Sequence, residues 1–222
     1  MRKILIALSL AIVVFPSFGG ASVVAKQSRV IYLISKDGGA KIATIHVNGD
    51  SILCEFNGSS EATLFTGDAV FTINNQDKPY RVQSYSDLKT AAQNKVRELA
   101  QQTRTVDVGQ GAILELTDET NTISGVRARR LKKISGNRAA ADFWVSSELS
   151  PPGLRVLGEQ VRTVLPNGYW SRMHGNPGII EIIILYGVPL SFSDGPIGYQ
   201  AQIQDSDSDA WTKVPAEYRR LQ

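Results

Sequence analysis

The side chains that could support catalysis are few and lie far apart in the 222-residue sequence. His46 alternates with Thr44 in a strand-like segment, His174 lies in a glycine-rich loop, and Cys54 is the single cysteine. Zinc binding and nucleophilic catalysis need such groups at paired spacings, and the sequence has no HExxH helix, cysteine pair, GxSxG turn or phosphate-binding glycine loop. We therefore expect no catalytic residues, no metal and no cofactor. An enzyme that uses His174 is the weaker alternative.

A run of alternating Asp and Ser at residues 205–209 has the spacing of the first three ligands of an EF-hand loop. The sixth position of such a loop needs glycine and the twelfth needs glutamate, but this sequence has Ala210 and Ala216 there. We interpret the run as a solvated hairpin turn that holds no calcium.

Cys54 has the same alternating phase as Ile52 and Phe56, which predicts a buried thiol in a strand. One cysteine cannot form a disulfide within the chain, so the fold must depend on core packing.

The N-terminus has the pattern of a secretory signal peptide. Arg2 and Lys3 precede the apolar segment 4–15, and small residues suited to cleavage follow up to Ala25. The apolar segment is well short of the ~20 residues that a membrane-spanning helix needs. We expect a signal peptide over residues 1–25, a single mature domain over residues 26–222, and a periplasmic or otherwise extracytoplasmic location.

The charge balance gives no reason to expect a nucleic-acid partner. The sequence has 24 basic and 21 acidic side chains, and Arg2 and Lys3 would leave with the signal peptide. The mature domain is therefore nearly neutral, without the excess of positive charge that binds phosphate backbones.

The first half of the domain reads as a series of short antiparallel strands. Lys41–Val47 alternates with Ala43, Ile45 and Val47 on one face, and Asn48-Gly49 and Asn57-Gly58 are strong signals for two-residue hairpin turns. From Ser86 the apolar spacing becomes helical, which predicts an amphipathic helix to about Arg104 with Ser86 as its N-cap.

The second half predicts further strands around another helix. Strands are expected at 112–117, 126–134 and 139–145, then at Val188–Phe192 and Gly198–Gln204. A helix is expected over Pro151–Leu165 with Ser150 as its cap, although Gly153 and Gly158 weaken this prediction. A long aromatic loop follows at residues 166–178, and the run Ile179–Tyr186, apolar on both faces, predicts a central strand.

These elements predict a mainly β domain in which an antiparallel sheet with one apolar face is covered by two amphipathic helices. If the helices cover the sheet loosely, an apolar cavity results, and if they pack fully, the interior is a solid core. The helical and loop residues expected to line a cavity and its lid are Leu88, Ala92, Val96, Leu99, Leu157, Val161 and Trp170.

Several short segments resemble a group of bacterial exported domains that are similar to the LolA-like superfamily of periplasmic lipoprotein carriers and lipid-binding lipoproteins. They are Tyr80–Leu88, Ile123-Ser124-Gly125, the segment 142–149 (DFWVSSEL) and the segment 211–218 (WTKVPAEY). The resemblance implies a curved, unclosed antiparallel β-barrel with helices across its concave face. In such relatives that face holds lipid or acyl chains.

Two functions are expected from these features. The first is a non-catalytic periplasmic carrier or sensor that binds lipid, or a lipidated protein, in an apolar cavity. The alternative is an envelope structural or interaction domain with a filled core and no ligand. Its envelope protein partner would bind the basic strand 126–133 and the loop 166–178.

Overall fold

The computed structural model describes residues 28–102, 113–135, 138–164, 178–195, 197–206 and 212–221. Within these ranges it contains twelve strands and three helices. They are β1 (Arg29–Ser35), β2 (Lys41–Asn48), β3 (Ser51–Phe56), β4 (Glu61–Phe65), β5 (Ala69–Asn74), β6 (Pro79–Ser84), α1 (Tyr85–Gln102), β7 (Ile113–Ile123), β8 (Val126–Ser135), β9 (Arg138–Ser146), α2 (Pro152–Val164), α3 (Ile179–Leu185), β10 (Val188–Asp194), β11 (Ile197–Asp205) and β12 (Arg219–Arg220).

All twelve strands belong to one open sheet. Its strand order is β12-β6-β5-β4-β3-β2-β1-β11-β10-β9-β8-β7, so two runs of sequential hairpins meet where β1 pairs with β11. The short β12 pairs in parallel with β6, and every other pairing is antiparallel. The prediction of a mainly β domain with helices is therefore confirmed.

Both Asn-Gly pairs lie at hairpin connections, as predicted, but neither forms the predicted two-residue Asn-Gly turn. Asn48 pairs with Ser51, so the first turn consists of Gly49 and Asp50, and residues 57–60 connect β3 to β4. Gly49 and Gly58 have φ angles of 57° and 78°, the left-handed conformation that glycine adopts without a steric penalty. The turns fix the register of β2, β3 and β4, in which Ile45 pairs with Cys54 and Cys54 pairs with Thr63.

The helices cover one face of the sheet, which we call the helix face. Ile31, Ile45 and Phe65 are fully buried there and belong to one apolar cluster that also contains Leu154 of α2 and Ile183 of α3. Burial of this size is the main stabilising contribution in a domain without disulfides.

The opposite face of the first hairpins is covered by the C-terminal segment 212–221. Leu53, Leu64 and Ile73 form a second apolar cluster there, and Val214 and Tyr218 pack against it. The backbone N–H of Arg219 donates to the carbonyl oxygen of Lys78 at 2.9 Å, which attaches the segment to the edge of the sheet.

Both predicted helices are confirmed, but both predicted caps are wrong. Ser84, not Ser86, caps α1: its hydroxyl accepts from the N–H of Asp87 at 3.1 Å, and the Asp87 carboxylate accepts from the N–H of Ser84 at 3.3 Å. Ser150 lies one residue too early to cap α2, because the first helical bond runs from the N–H of Arg155 to the carbonyl oxygen of Pro151.

The prediction of a central strand over Ile179–Tyr186 is wrong, because this run forms the third helix, α3. An unbroken apolar run is compatible with a buried helix as well as with a buried strand, so periodicity could not separate the two. Ile182, Ile183 and Leu185 are all buried between the sheet and α2, and the Glu181 carboxylate accepts from the N–H of Gly178 at 2.7 Å.

Three sequence predictions fall outside the described residues: the signal peptide, the aromatic loop with His174, and most of the acidic run. Asp205 is described, and its carboxylate lies 3.6 Å from the Arg29 guanidinium. None of the helices in the described ranges has the length and apolar character needed to span a bilayer.

Candidate functional site

The structure brings four of the predicted cavity residues together on the helix face. Ala92, Leu157 and Val161 are buried members of the main apolar cluster, and Leu88 packs against it half-buried. Trp170 lies outside the described residues. Val96 and Leu99 belong to α1, but their side chains are not among those described.

Two glycines set how closely α2 approaches its neighbours. A Cβ atom on Gly153 would collide with the carbonyl oxygen of Gly67, and one on Gly158 would lie 2.5 Å from the carbonyl oxygen of Ile184. Glycine is therefore required where α2 touches the β4–β5 turn and α3. Gly153 and Gly158 weaken the prediction of this helix from sequence, but they allow α2 to pack closely against the β4–β5 turn and α3.

Tyr85 joins the same turn to the start of α1. Its hydroxyl donates to the carbonyl oxygen of Thr66 at 2.6 Å, and its ring packs against the main apolar cluster. Burial raises the pKa of this phenol, so it keeps its proton and its donor role over the ordinary pH range.

Beyond this contact, the helix face continues into an open groove of about 850 Å³ at the β5–β6 edge of the sheet. Val70 and Thr72 of β5 line it, opposite Gln83 and Arg81 of β6 in the strand register. Val70 is also part of the main apolar cluster, so this residue lies between the groove and the interior. We call this site the edge groove; its volume is in the range of ligand pockets.

The end of the edge groove carries positive charge. Arg220 and Leu221 of the C-terminal segment line it together with the exposed Arg81. An apolar wall next to an exposed arginine, with a second arginine on the neighbouring strand, is suited to an amphiphile with an anionic head group.

The alternation of side chains along β5 and β6 is a sequence signal for this groove. It contains no catalytic motif. Val70 and Thr72, and likewise Arg81 and Gln83, occupy alternate positions of two paired strands, which places all four side chains on one face. Arginine and glutamine on the apolar face of a hairpin indicate a part of the sheet that the helices leave uncovered.

The basic strand β8 is largely neutralised by acidic neighbours. Arg130 donates to Asp142 at 2.8 Å and to Glu119 at 2.7 Å, and Lys132 donates to Glu119 at 2.9 Å. The hydrogen bonds with Arg130 and Lys132 lower the pKa of Glu119, and that with Asp142 raises the pKa of Arg130. These pairs give the strand much less free positive charge than its sequence indicates.

The described chemistry-bearing side chains do not form a catalytic arrangement. His46 Nε2 lies 3.2 Å from the Glu55 carboxylate, and this hydrogen bond lowers the pKa of Glu55. Nδ1 of His46 is buried without a hydrogen-bond partner among the described residues, and no serine, threonine or cysteine is hydrogen-bonded to either ring nitrogen there. The described ranges also contain no group of three metal-ligating side chains.

Cys54 is fully buried and unpaired, as predicted, and burial raises the pKa of its thiol far above the ordinary value. Because the thiolate is the reactive form, we expect the native protein to remain unmodified by a thiol reagent at pH 8. Addition of denaturant should expose one reactive thiol per chain. Rapid modification of the native protein would contradict the burial of Cys54.

Comparisons with known proteins do not assign this chain to a family. No family model matches the sequence, and no curated protein matches it. The solved structures that match include two crystal forms of PNGF-II, at 10% identity with a TM-score of 0.45 and at 12% identity with a TM-score of 0.46. This chain is covered to 89% and 88% in these matches, but spans only 31% and 30% of the PNGF-II chain.

An uncharacterized conserved protein from Thermus thermophilus also matches, at 10% identity with a TM-score of 0.38. That match covers 89% of this chain and 91% of the other. All three TM-scores are below 0.5, so the matches assign neither a family nor an activity.

Proposed function

We propose that this protein is a non-catalytic, extracytoplasmic binding protein for an amphiphile with an acyl chain and an anionic head group. The observation that carries the proposal is the position of Val70, which belongs both to the main apolar cluster and to the wall of the edge groove. A ligand chain lying in this groove would extend the apolar core with its own methylene groups, each worth about 0.8 kcal/mol on burial.

The charge at the groove supports an anionic head group. Arg81 is exposed on β6, and Arg220 of the neighbouring β12, which pairs with Tyr80, also lines the groove. A guanidinium group forms bidentate hydrogen bonds with a carboxylate or a phosphate, and a neutral head group would not engage it in this way.

The shape of the sheet and the location of the protein are part of the same proposal. We propose that the open sheet curves into an unclosed barrel of the LolA-like kind, with its helices on the concave face. The signal-peptide pattern of residues 1–25 supports export, and export would place the groove where envelope lipids or lipidated proteins are available.

Replacement of Arg81 by glutamate tests the head-group contact. We expect R81E to weaken binding of the fluorescent fatty acid cis-parinaric acid about tenfold, because one charged hydrogen-bonded contact becomes a repulsion. Binding of the uncharged methyl ester should change little. Fluorescence titration of the purified mature protein measures both affinities.

The matched control is R127E, because Arg127 is also exposed on a strand but does not line the groove. Equal binding of the acid by the wild type and R81E, or no binding at all, would contradict the proposal. Native mass spectrometry of the protein purified from its own envelope, followed by organic extraction, identifies the natural ligand.

The alternative function is an envelope interaction domain with a filled core. Its support is the burial of Leu157 and Val161, which are 2% and 3% exposed and packed within the cluster. A bare protein mass that stays unchanged after incubation with envelope lipids would favour this function.

A further inference from the structure

A second, smaller cavity lies on the other side of α2, between that helix, the end of α3 and the strands β7 to β9. Its volume is about 250 Å³, and its base is apolar, with Val145, Leu154 and Leu185 among the lining residues. The polar lining consists of Arg129, Ser147, Ser150, Arg155, Glu159 and Arg162. We call this site the arginine cavity; it shares no lining residue with the edge groove.

Three arginines and one glutamate therefore line a space with an apolar base. Arg129 is partly neutralised, because it donates to the Asp118 carboxylate at 3.1 Å and to the carbonyl oxygen of Thr117. Arg155 forms no ion pair with a described residue. The cavity thus retains an excess of positive charge.

Arg162 is held rigidly at the edge of this space. It donates to the carbonyl oxygen of Leu185 at the end of α3, and its guanidinium lies 5.5 Å from the centre of the Tyr186 ring. Burial lowers the pKa of Arg162; the nearby Tyr186 and Glu159 raise it in part, and the charge of Arg129 lowers it. A partly desolvated cation beside a second cation is stabilised when an anion binds between them.

The Ser150 hydroxyl is the independent sign of a ligand. Ser150 is only 5% exposed, lines the cavity, and its oxygen has no hydrogen-bond partner among the described residues. An unsatisfied buried hydroxyl is unfavourable, and a bound oxyanion would accept a hydrogen bond from it. Ser150 also lies just before the positive end of α2, which favours an anion at the same place.

We propose that the arginine cavity binds an oxyanion group of the phosphate class, held by Arg155, Arg162 and the Ser150 hydroxyl. The group comes either from free phosphate or from a phosphate-bearing lipid head group. This proposal does not depend on the acyl-chain function, because the two cavities are separate.

The decisive variant is Ser150→Ala, which removes no hydrogen bond among the residues that the structure describes. We expect it to leave the melting temperature of the free protein unchanged or slightly higher, and to weaken anion binding about tenfold. Ser146→Ala is the matched control, since the Ser146 hydroxyl is also buried, has no hydrogen-bond partner in the described part of the chain, and does not line the cavity. A second variant, Arg155→Gln, should weaken binding about fivefold, with Arg127→Gln as its control.

Isothermal titration calorimetry with inorganic phosphate and with lysophosphatidic acid below its micelle concentration separates the sources. If the protein binds phosphate and Ser150→Ala weakens this binding, the cavity is a site for a free anion. If the protein binds only lysophosphatidic acid and Ser150→Ala weakens that binding, the cavity is a site for a lipid head group. Failure of both probes to bind, or binding that neither variant alters, overturns the proposal. The proposal is also overturned if R81E weakens binding of lysophosphatidic acid and Ser150→Ala does not, because that result would assign the head group to the edge groove.

Discussion

Replacement of Gly158 by alanine is expected to destabilise the protein by about 2 kcal/mol, opposite in sign to the effect of the same change in an ordinary helix. Helix propensity alone predicts a gain of about 1 kcal/mol. Here the new Cβ would lie 2.5 Å from the carbonyl oxygen of Ile184 and 3.1 Å from that of Leu185. Overpacking against backbone forces α2 away from α3, because a carbonyl group cannot rotate aside as a flexible side chain does. Urea unfolding with a constant m-value measures the change.

Gly38→Ala is the control for this experiment. A Cβ at Gly38 has no neighbouring atom within 4 Å, and its φ is not among the positive angles, so its stability should change by less than about 0.5 kcal/mol. If Gly158→Ala instead raised the urea midpoint, α2 and α3 could not be packed as closely as described. The arginine cavity would lose support as well, because Arg162 reaches Leu185 across the same contact.

The hairpins of the first half could be predicted because local sequence determines them. Gly49 and Gly58 supply the positive φ angles of two of the connections, and alternation decides which side chains are buried. The same reasoning correctly predicts the buried Cys54. It cannot predict the pairing of β1 with β11, because this contact joins segments from opposite ends of the domain and depends on the whole fold.

Helix α3 shows where local reasoning fails. β-branched isoleucines favour strands, but Ile182, Ile183 and Leu185 are buried on different sides of a short helix between the sheet and α2. The glycines of α2 indicate its packing more reliably than the isoleucines indicate the secondary structure of α3. Gly153 and Gly158 count against a helix by propensity, yet two glycines on an otherwise amphipathic helix indicate close backbone contact on both sides.

The candidate sites were predictable only in part. Apolar periodicity reports burial, and the structure places Ala92, Leu157 and Val161 in the main apolar cluster with Leu88 packed against it. The prediction that they line a cavity stays a prediction. Periodicity could not tell whether a buried side chain faces a ligand or another side chain. The arginine cavity escaped prediction because its side chains come from β8, the β9–α2 connection and α2, which only tertiary packing brings together.

Replacement of Leu157 by alanine separates a filled core from a cavity at this position. Leu157 is 2% exposed within the main apolar cluster, so the change should destabilise the protein by about 3 kcal/mol, from lost transfer energy and from the void that remains. Val156→Ala on the same helix is the matched control; Val156 is 52% exposed, and its loss should cost less than about 0.5 kcal/mol. Urea unfolding of the ligand-free protein measures both.

The size of the Leu157 effect has a direct functional meaning. A side chain that lines an open cavity already lacks partner atoms on one side, so its truncation would cost about 1 kcal/mol and enlarge the space for an acyl chain. A loss of about 3 kcal/mol in Leu157→Ala, together with unchanged cis-parinaric acid affinity, would assign α2 to the core and ligand binding to the edge groove at Val70 and Arg81. A small loss of stability in Leu157→Ala, together with a changed affinity for cis-parinaric acid, would contradict the solid packing around Leu157. The ligand site would then extend from the edge groove into the space beneath the helices.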